Sequence, residues 1–335
     1  MVLFNMHLRW LKASSKKNRL QTAGFTLLEL LVAMIVAGIV VSGLLYIVVE
    51  LLQIDRREAV LDRTQRDMQR ALNYISDDVR EAVYIYNDPS TVSANLSDIA
   101  SSGNPILAFW RPDPVDTTQF DCTNPTIAAD SDLLKECEGL EVRQSTYSLV
   151  LYLQKEDNSS VWLGNSRIIR YELDKYSNLS DLTKTTGYND PAGVNTNFAN
   201  WTPTGTTTAG VKSVLVDFVD SPTREAANPF DKAPLNDTVP GTSTASPCLS
   251  LGAAYNIAPS TATTTTNTSF FSCIRDPNPA VAGAEGNGNQ DIYLFLRGNI
   301  EGAKGSVRAM SEDSALPMLE TRVMMRGVIN KNPGS

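Results

Sequence analysis

The side chain that most demands a chemical explanation is Glu29, which stands inside GFTLLELLVAMIVAGIVVSGLLYIVVE, residues 24–50. Between Glu29 and Glu50 lie only uncharged residues, Leu30 to Val49. A carboxylate at the centre of a bilayer costs roughly 2.5–3.5 kcal/mol, and less near an edge, so a cation or a set of donors must offset it. Other reactive groups are sparse. The single histidine, His7, lies before this stretch, so the chain beyond it offers no imidazole for a His-based triad or a His-ligated metal. The glycine-rich piece Gly283–Gly288 neither follows a strand pattern nor opens a helix, as a phosphate loop must. Adjacent carboxylates such as Asp77 and Asp78 read as a solvated pair on the polar face of a helix. The segments Asp276–Asp291 and Asn189–Asn197 carry oxygen ligands of the kind Ca2+ takes, without EF-hand spacing. No catalytic residue and no dedicated metal site emerges. Ca2+ is the one cofactor left open, and an enzyme is not expected.

Four cysteines, Cys122, Cys137, Cys248 and Cys273, lie in polar stretches, and none forms a C-x-x-C pair. An even number in an exported chain favours two disulfides. Three connectivities are open, of which the sequence-local one, 122–137 with 248–273, is the simplest. Closing the second loop, of about 26 residues, contributes about 3–4 kcal/mol in the chain-entropy model. Four free thiols remain the alternative if the N-terminus is not an export signal.

The elements that must position these groups begin with the apolar run. Its 20 uncharged residues span about 30 Å as a helix, the thickness of a hydrocarbon core. A secretory signal would have a shorter apolar core with its small-residue cut after it. Here the small-residue junction, Ala23-Gly24, precedes the run. The first 24 residues carry Arg9, Lys12, Lys16, Lys17 and Arg19 and no acid, which favours a cytoplasmic N-terminus. The formal charge of the whole chain is −8, so the body after this leader is more acidic still. An acidic body argues against nucleic acid or anionic lipid as a partner.

Beyond the apolar run, Leu61, Met68, Leu72, Ile75, Val79, Val83 and Tyr86 recur at helical spacing and form one apolar face. No proline occurs from Phe25 until Pro89, so one helix of about 60 residues is allowed, ended by Asn87-Asp88-Pro89-Ser90. Strand patterns follow at Tyr147–Leu153, Arg167–Leu173, Val211–Val219 and Ile292–Leu296, with a fifth expected over Thr321–Ile329 and an edge strand over Ile106–Trp110. A helix stripe plus antiparallel strands gives an α+β domain. Residues 176–210 and 221–290 are rich in Thr, Ser, Asn, Pro and Gly and read as long surface insertions. The expected organisation is therefore 1–24 basic leader, 25–52 apolar half of the helix, 53–86 amphipathic half, and 87–335 a β-rich domain.

The stretch Gly24-Phe25-Thr26-Leu27-Leu28-Glu29-Leu30 resembles the processing motif of type IV prepilins and type II secretion pseudopilins. Without that junction the run would read as a plain signal anchor. The resemblance implies cleavage between Gly24 and Phe25 by prepilin peptidase, N-methylation of Phe25, and retention of the apolar run as a filament-forming helix. A start at Met6 would give a leader of 19 residues in place of 24. Glu29 is then expected to face the Phe25 amine of a neighbouring subunit, although an intra-chain i, i+4 pair is also geometrically possible. Such a buried pair sets register more than it adds stability.

Asp62 to Tyr84 resembles the helix of J-type minor pseudopilins and W-type minor pilins, through Gln69–Leu72 and Asp78–Val83. The ending Thr321–Arg326 also matches. Leu44 to Tyr86 is similar to the hormogonium polysaccharide secretion pseudopilins of filamentous cyanobacteria. Two departures are informative. A helix-bending proline common in major pilins is replaced by Tyr46, which favours a low-copy subunit. The glutamate commonly missing from K-type tip pseudopilins is present as Glu29. The resemblance implies a pilin-like fold and a single pass through the inner membrane, with the globular domain periplasmic or in the filament. Its implied partners are prepilin peptidase, other minor and major pseudopilins and an inner-membrane assembly platform, in support of polysaccharide secretion and gliding motility. The competing reading is a membrane-anchored adhesin or glycan-binding protein whose long loops bind a surface.

Overall fold

The computed structural model describes residues 26–157, 161–193, 196–222, 248, 251–252, 254–260, 269–276, 290–303 and 316–325. The chain divides after Ile54 into two compact units. One long helix, α1 (Leu27–Arg80), supplies the described part of the first unit and the start of the second.

In the second unit α1 buries Met68, Ala71, Leu72, Ile75 and Val79, spaced three or four residues apart, as the sequence periodicity requires. Fully burying side chains of this size contributes about 1.5–3 kcal/mol each. The helix stops at Arg80, six residues earlier than expected. The run Val83-Tyr84-Ile85-Tyr86 is β-branched and aromatic and takes strand pairing in place of another helical turn. Val83 N donates to Trp110 O at 2.8 Å and Tyr86 N to Ala108 O at 2.9 Å. Asp88 then caps a short helix, accepting from Ser90 N at 3.0 Å, with Pro89 at its first position.

The elements after α1 run β1 (Tyr84–Ile85), α2 (Pro89–Ser93), β2 (Asn104–Pro114), α3 (Pro125–Ala128), α4 (Ser131–Arg143), β3 (Ser145–Glu156), β4 (Ser166–Leu173), β5 (Tyr176–Asn178), β6 (Thr183–Lys184), β7 (Val211–Val219), β8 (Tyr255–Ala258), β9 (Phe270–Arg275), β10 (Asp291–Leu296) and β11 (Leu319–Met324). A five-stranded sheet has the order β1-β2-β3-β4-β7, a four-stranded sheet the order β11-β10-β9-β8, and β5 pairs with β6. Every pairing is antiparallel. The architecture is α+β, a long N-terminal helix with antiparallel sheets, consistent with a pilin-like fold.

Side-chain alternation gives the larger sheet two apolar faces. Phe109, Val150, Tyr152 and Ile168 share a core with the α1 stripe and with Ile292, Leu294 and Val323 of the smaller sheet. Trp110, Leu149, Leu151 and Tyr171 face a second core. A buried polar knot ties the two sheets. Gln154 Nε2 lies 2.8 Å from both Ser166 Oγ and Ser269 Oγ, and Asp220 pairs with Arg297 at 2.8 Å and accepts from Asn299 Nδ2 at 2.6 Å.

Four expectations need correction. Residues 176–210 are not only surface decoration, because Leu182, Tyr188 and Trp201 are buried. The Trp201 ring packs edge-on against Trp110 with centroids 5.4 Å apart. Residues 221–290 contain β8 and β9, of which Phe270 to Ile274 are buried, so Cys273 staples a strand and not the middle of a loop. The strand expected at Ile106–Trp110 is 11 residues long and internal, with β1 covering its outer edge. The last strand runs Leu319–Met324, and residues 326–329 of the expected strand lie outside the described residues.

Candidate assembly helix and its anchor

Glu29 occupies the third position of α1, and its backbone N donates to Thr26 Oγ1 at 3.3 Å. Thr26-Leu27-Leu28-Glu29 is thus a helix-start box, with Thr26 as the cap. An acid in the first turn also meets the positive end of the helix dipole, an interaction of about 0.3–1 kcal/mol near a surface. In the sequence this signal is the T-x-x-E spacing of Thr26 and Glu29. Gly24 and Phe25 lie outside the described residues.

From Leu27 to Ile54 the helix exposes every large apolar side chain, including Leu27 at 89% and Tyr46 at 72%. Its most apolar 18-residue window has a mean hydropathy of 2.7 and none of it is buried within the chain. An apolar surface of this extent requires lipid or other helices around it. The serine hydroxyl in the run is satisfied internally, Ser42 Oγ donating to Gly38 O at 2.7 Å.

The second unit grips the other part of α1 through a buried charge cluster. Asp78 accepts from Tyr152 Oη at 2.6 Å and from Arg170 Nε at 2.8 Å, and its Oδ1 lies 3.2 Å from Arg111 Nη1. Glu172 closes the ring, 2.5 Å from Arg170 Nη1 and 2.8 Å from Arg111 Nη2. The Asp78 side chain is 5% exposed and that of Arg170 9%. Burial pushes the Tyr152 hydroxyl up, and the neighbouring Asp78 charge pushes it further. Burial opposes ionisation of Glu172, yet Arg170 and Arg111 together hold its carboxyl below the usual range. Five side chains from one helix and three strands therefore fix the rotation of α1 on the sheet.

Asp78 was expected to be solvated beside Asp77. The two neighbours diverge, for Asp77 is exposed and among the described residues pairs with Arg80 alone, at 2.9 Å. Asp78 lies three residues after Ile75, on the buried side of the helix. Arg170 and Glu172 follow Ile168 at two-residue steps on β4 and so share its inward face. Opposite charges at matching inward positions were the available signal.

Residues 19–45 match the family model described as the prokaryotic N-terminal methylation motif. That match supports a type IV pilin-like protein. It also supports a single-pass membrane anchor at the apolar helix, and it implies processing by prepilin peptidase and assembly with other pilins. No curated protein and no solved structure matches the chain.

The structure joins Cys122 to Cys137 and Cys248 to Cys273, with Cα atoms 5.7 and 5.6 Å apart. The first bond pins α4 over a satellite core containing Phe120, Ile127 and Leu140. There Lys175 reaches Glu136 at 2.8 Å and Asp190 at 3.0 Å, and Lys184 reaches Glu136 at 3.0 Å. Asp190 of the Asn189–Asn197 segment is therefore engaged by a lysine. Among the described residues no three His, Cys, Asp or Glu side chains converge as a metal would require. Residues 277–289 of the other candidate Ca2+ segment lie outside the described residues.

Proposed function

We propose that the chain is a minor pseudopilin or minor pilin of the J/W type, processed between Gly24 and Phe25 and assembled through its apolar helix into a pseudopilus or pilus. The observation that carries this reading is the methylation motif running directly into a fully exposed apolar helix. The leader stays cytoplasmic, and the domain from residue 55 onward works on the periplasmic side or in the filament. Glu29 pairs with the Phe25 amine of a neighbour, which sets the axial register of subunits, while the Asp78 cluster transmits that register to the sheets. The work is mechanical, with energy supplied by an assembly ATPase. The similarity over Leu44–Tyr86 favours a machine for polysaccharide secretion and gliding motility.

Mass spectrometry of the N-terminal peptide from membrane and sheared fractions tests the reading. A peptide beginning at N-methylated Phe25 is expected in both. An intact leader in cells with active prepilin peptidase would reduce the chain to a signal-anchored domain.

A further inference from the structure

We propose that the tip of the β3–β4 hairpin, Val161-Trp162-Leu163, seats in the headgroup–acyl boundary of the same bilayer that α1 enters, an inference that rests on the membrane anchor and not on the filament. A hairpin tip projects into water and is ordinarily polar. Here three large apolar residues stand in consecutive positions, with Val161 75% exposed, Leu163 45% and Trp162 36%. The other large apolar side chains that the second unit exposes among the described residues, Tyr74, Val142, Val211 and Met324, are isolated in sequence. Scattered side chains of this kind are ordinary, whereas a contiguous set marks a surface that something covers.

The tip is held in place by its neighbours. Asp217 Oδ2 accepts from Leu163 N and Gly164 N at 3.1 Å each, and Asn165 Nδ2 donates to Glu301 Oε2 at 3.0 Å. The Arg167 guanidinium lies 5.9 Å from the centre of the Trp162 ring. Gly302 packs so closely on Leu163 O that a Cβ there would overlap it.

The hairpin also runs back along α1 toward the apolar run. At the start of β3, Ser145 shares a groove with Arg80 and Glu81, and beyond its end Trp162 and Leu163 share one with Val60, Arg63 and Thr64. Val60 to Thr64 follow Ile54, the last exposed large apolar residue of the run, by six to ten positions of α1, about 9–15 Å of helical rise. The polar zone of one leaflet is itself about 5–8 Å deep, and a single span ordinarily tilts by about 20°. Tryptophan suits that depth, because its ring is apolar while its N–H stays within reach of water and headgroups. The contact is apolar and asks nothing of lipid charge, which fits a chain of net charge −8. Seated there, the tip gives the membrane-inserted subunit a second foothold beside α1.

Full-length chain reconstituted in phosphatidylcholine vesicles, doped with a phospholipid carrying a diazirine near its glycerol backbone, tests this when labelled residues are mapped by mass spectrometry. Labelling at residues 161–163 is expected to exceed that at Val142 on α4 by about tenfold or more. Label within residues 27–54 but no excess at 161–163 overturns the seat and leaves the anchor standing, and label in neither overturns the anchor too. Labelling of the tip that appears only when phosphatidylglycerol is added also overturns it, since that contact would be electrostatic. In vesicles of brominated phosphatidylcholine, quenching of tryptophan emission should fall in Trp162→Phe, because Trp110 and Trp201 are buried in the domain and Trp10 contributes equally to both chains. Equal quenching in the two chains counts against the seat.

Discussion

Replacing Asp78 by alanine removes the acceptor at the centre of the anchor and leaves Arg170, 9% exposed, facing a void. Breaking a buried pair by deleting one partner costs about 3–5 kcal/mol, because the remaining charge stays desolvated. Here Glu172 still holds Arg170 at 2.5 Å and Arg111 at 2.8 Å, which places the charge penalty at the low end, about 3 kcal/mol. Tyr152 loses its 2.6 Å acceptor as well, adding about 1 kcal/mol. The expected loss for Asp78→Ala is therefore about 3–4 kcal/mol. Asp77→Ala is the matched control, since Asp77 is exposed and its pair with Arg80 is a surface i, i+3 contact worth at most about 0.5 kcal/mol. Urea unfolding of the full-length chain in detergent, followed by emission of the buried Trp110 and Trp201, measures both. If Asp78→Ala costs under about 1 kcal/mol, or no more than Asp77→Ala, the cluster is screened by water and does not fix the helix.

Three further outcomes are expected. Burial would raise the Glu136 carboxyl, but hydrogen bonds from Lys175, Lys184 and Tyr176 hold it at about 2, below its ordinary 4.5. Its stabilisation is thus complete above about pH 4.5 and fades as pH falls toward 2. Urea midpoints should fall across that window in the native chain and fall less steeply in Glu136→Gln, where Glu172 still contributes. Replacing both Cys122 and Cys137 by serine opens a loop of sequence separation 15 and should cost about 3 kcal/mol in urea unfolding, without changing the membrane fraction. Glu29→Gln keeps a side chain suited to the helix-start box but no charge. It should insert in the membrane and fail to enter filaments, and normal recovery in sheared filaments would reduce Glu29 to a helix cap.

Much of this was legible because it rests on short periods. The α1 stripe follows from burial on one face, β3 and β10 read as strands from their runs of apolar side chains, and both disulfides adopt the sequence-local pairing. The failures arise where a local pattern is overridden by a distant partner. Val83 to Tyr86 continue the helical spacing of the stripe, yet their backbone groups are claimed by Trp110 and Ala108. FFSCIR of β9 is apolar on both faces and short, so it shows no alternation and sits among Thr- and Ser-rich residues that dominate any compositional view. Tyr188 and Trp201 are single aromatics in polar surroundings, and only the distant Trp110 explains their burial. Asp78 was misjudged because a carboxylate beside another carboxylate suggests solvent. Its arginine partners are 33 and 92 residues away in sequence.

The shared core has an implication for how the subunit matures. Met68, Leu72, Ile75 and Val79 emerge early in the chain, but the residues that cover them include Leu294, Leu296, Val323 and Met325. Gly298 sits so close beneath the helix that a Cβ there would meet Met68 Cγ at 2.9 Å. During synthesis β2 to β4 can cover part of the stripe, through Phe109, Val150, Tyr152 and Ile168, but its cover is complete only when the later strands arrive, and long-range closure of this sort is slow. A chain cut short before β10 would keep the larger sheet against the helix but lose Ile292, Leu294, Leu296, Val323 and Met325 from the same core. The fold thus acts as its own inspection step: only a chain made through β10 and β11 presents a closed core.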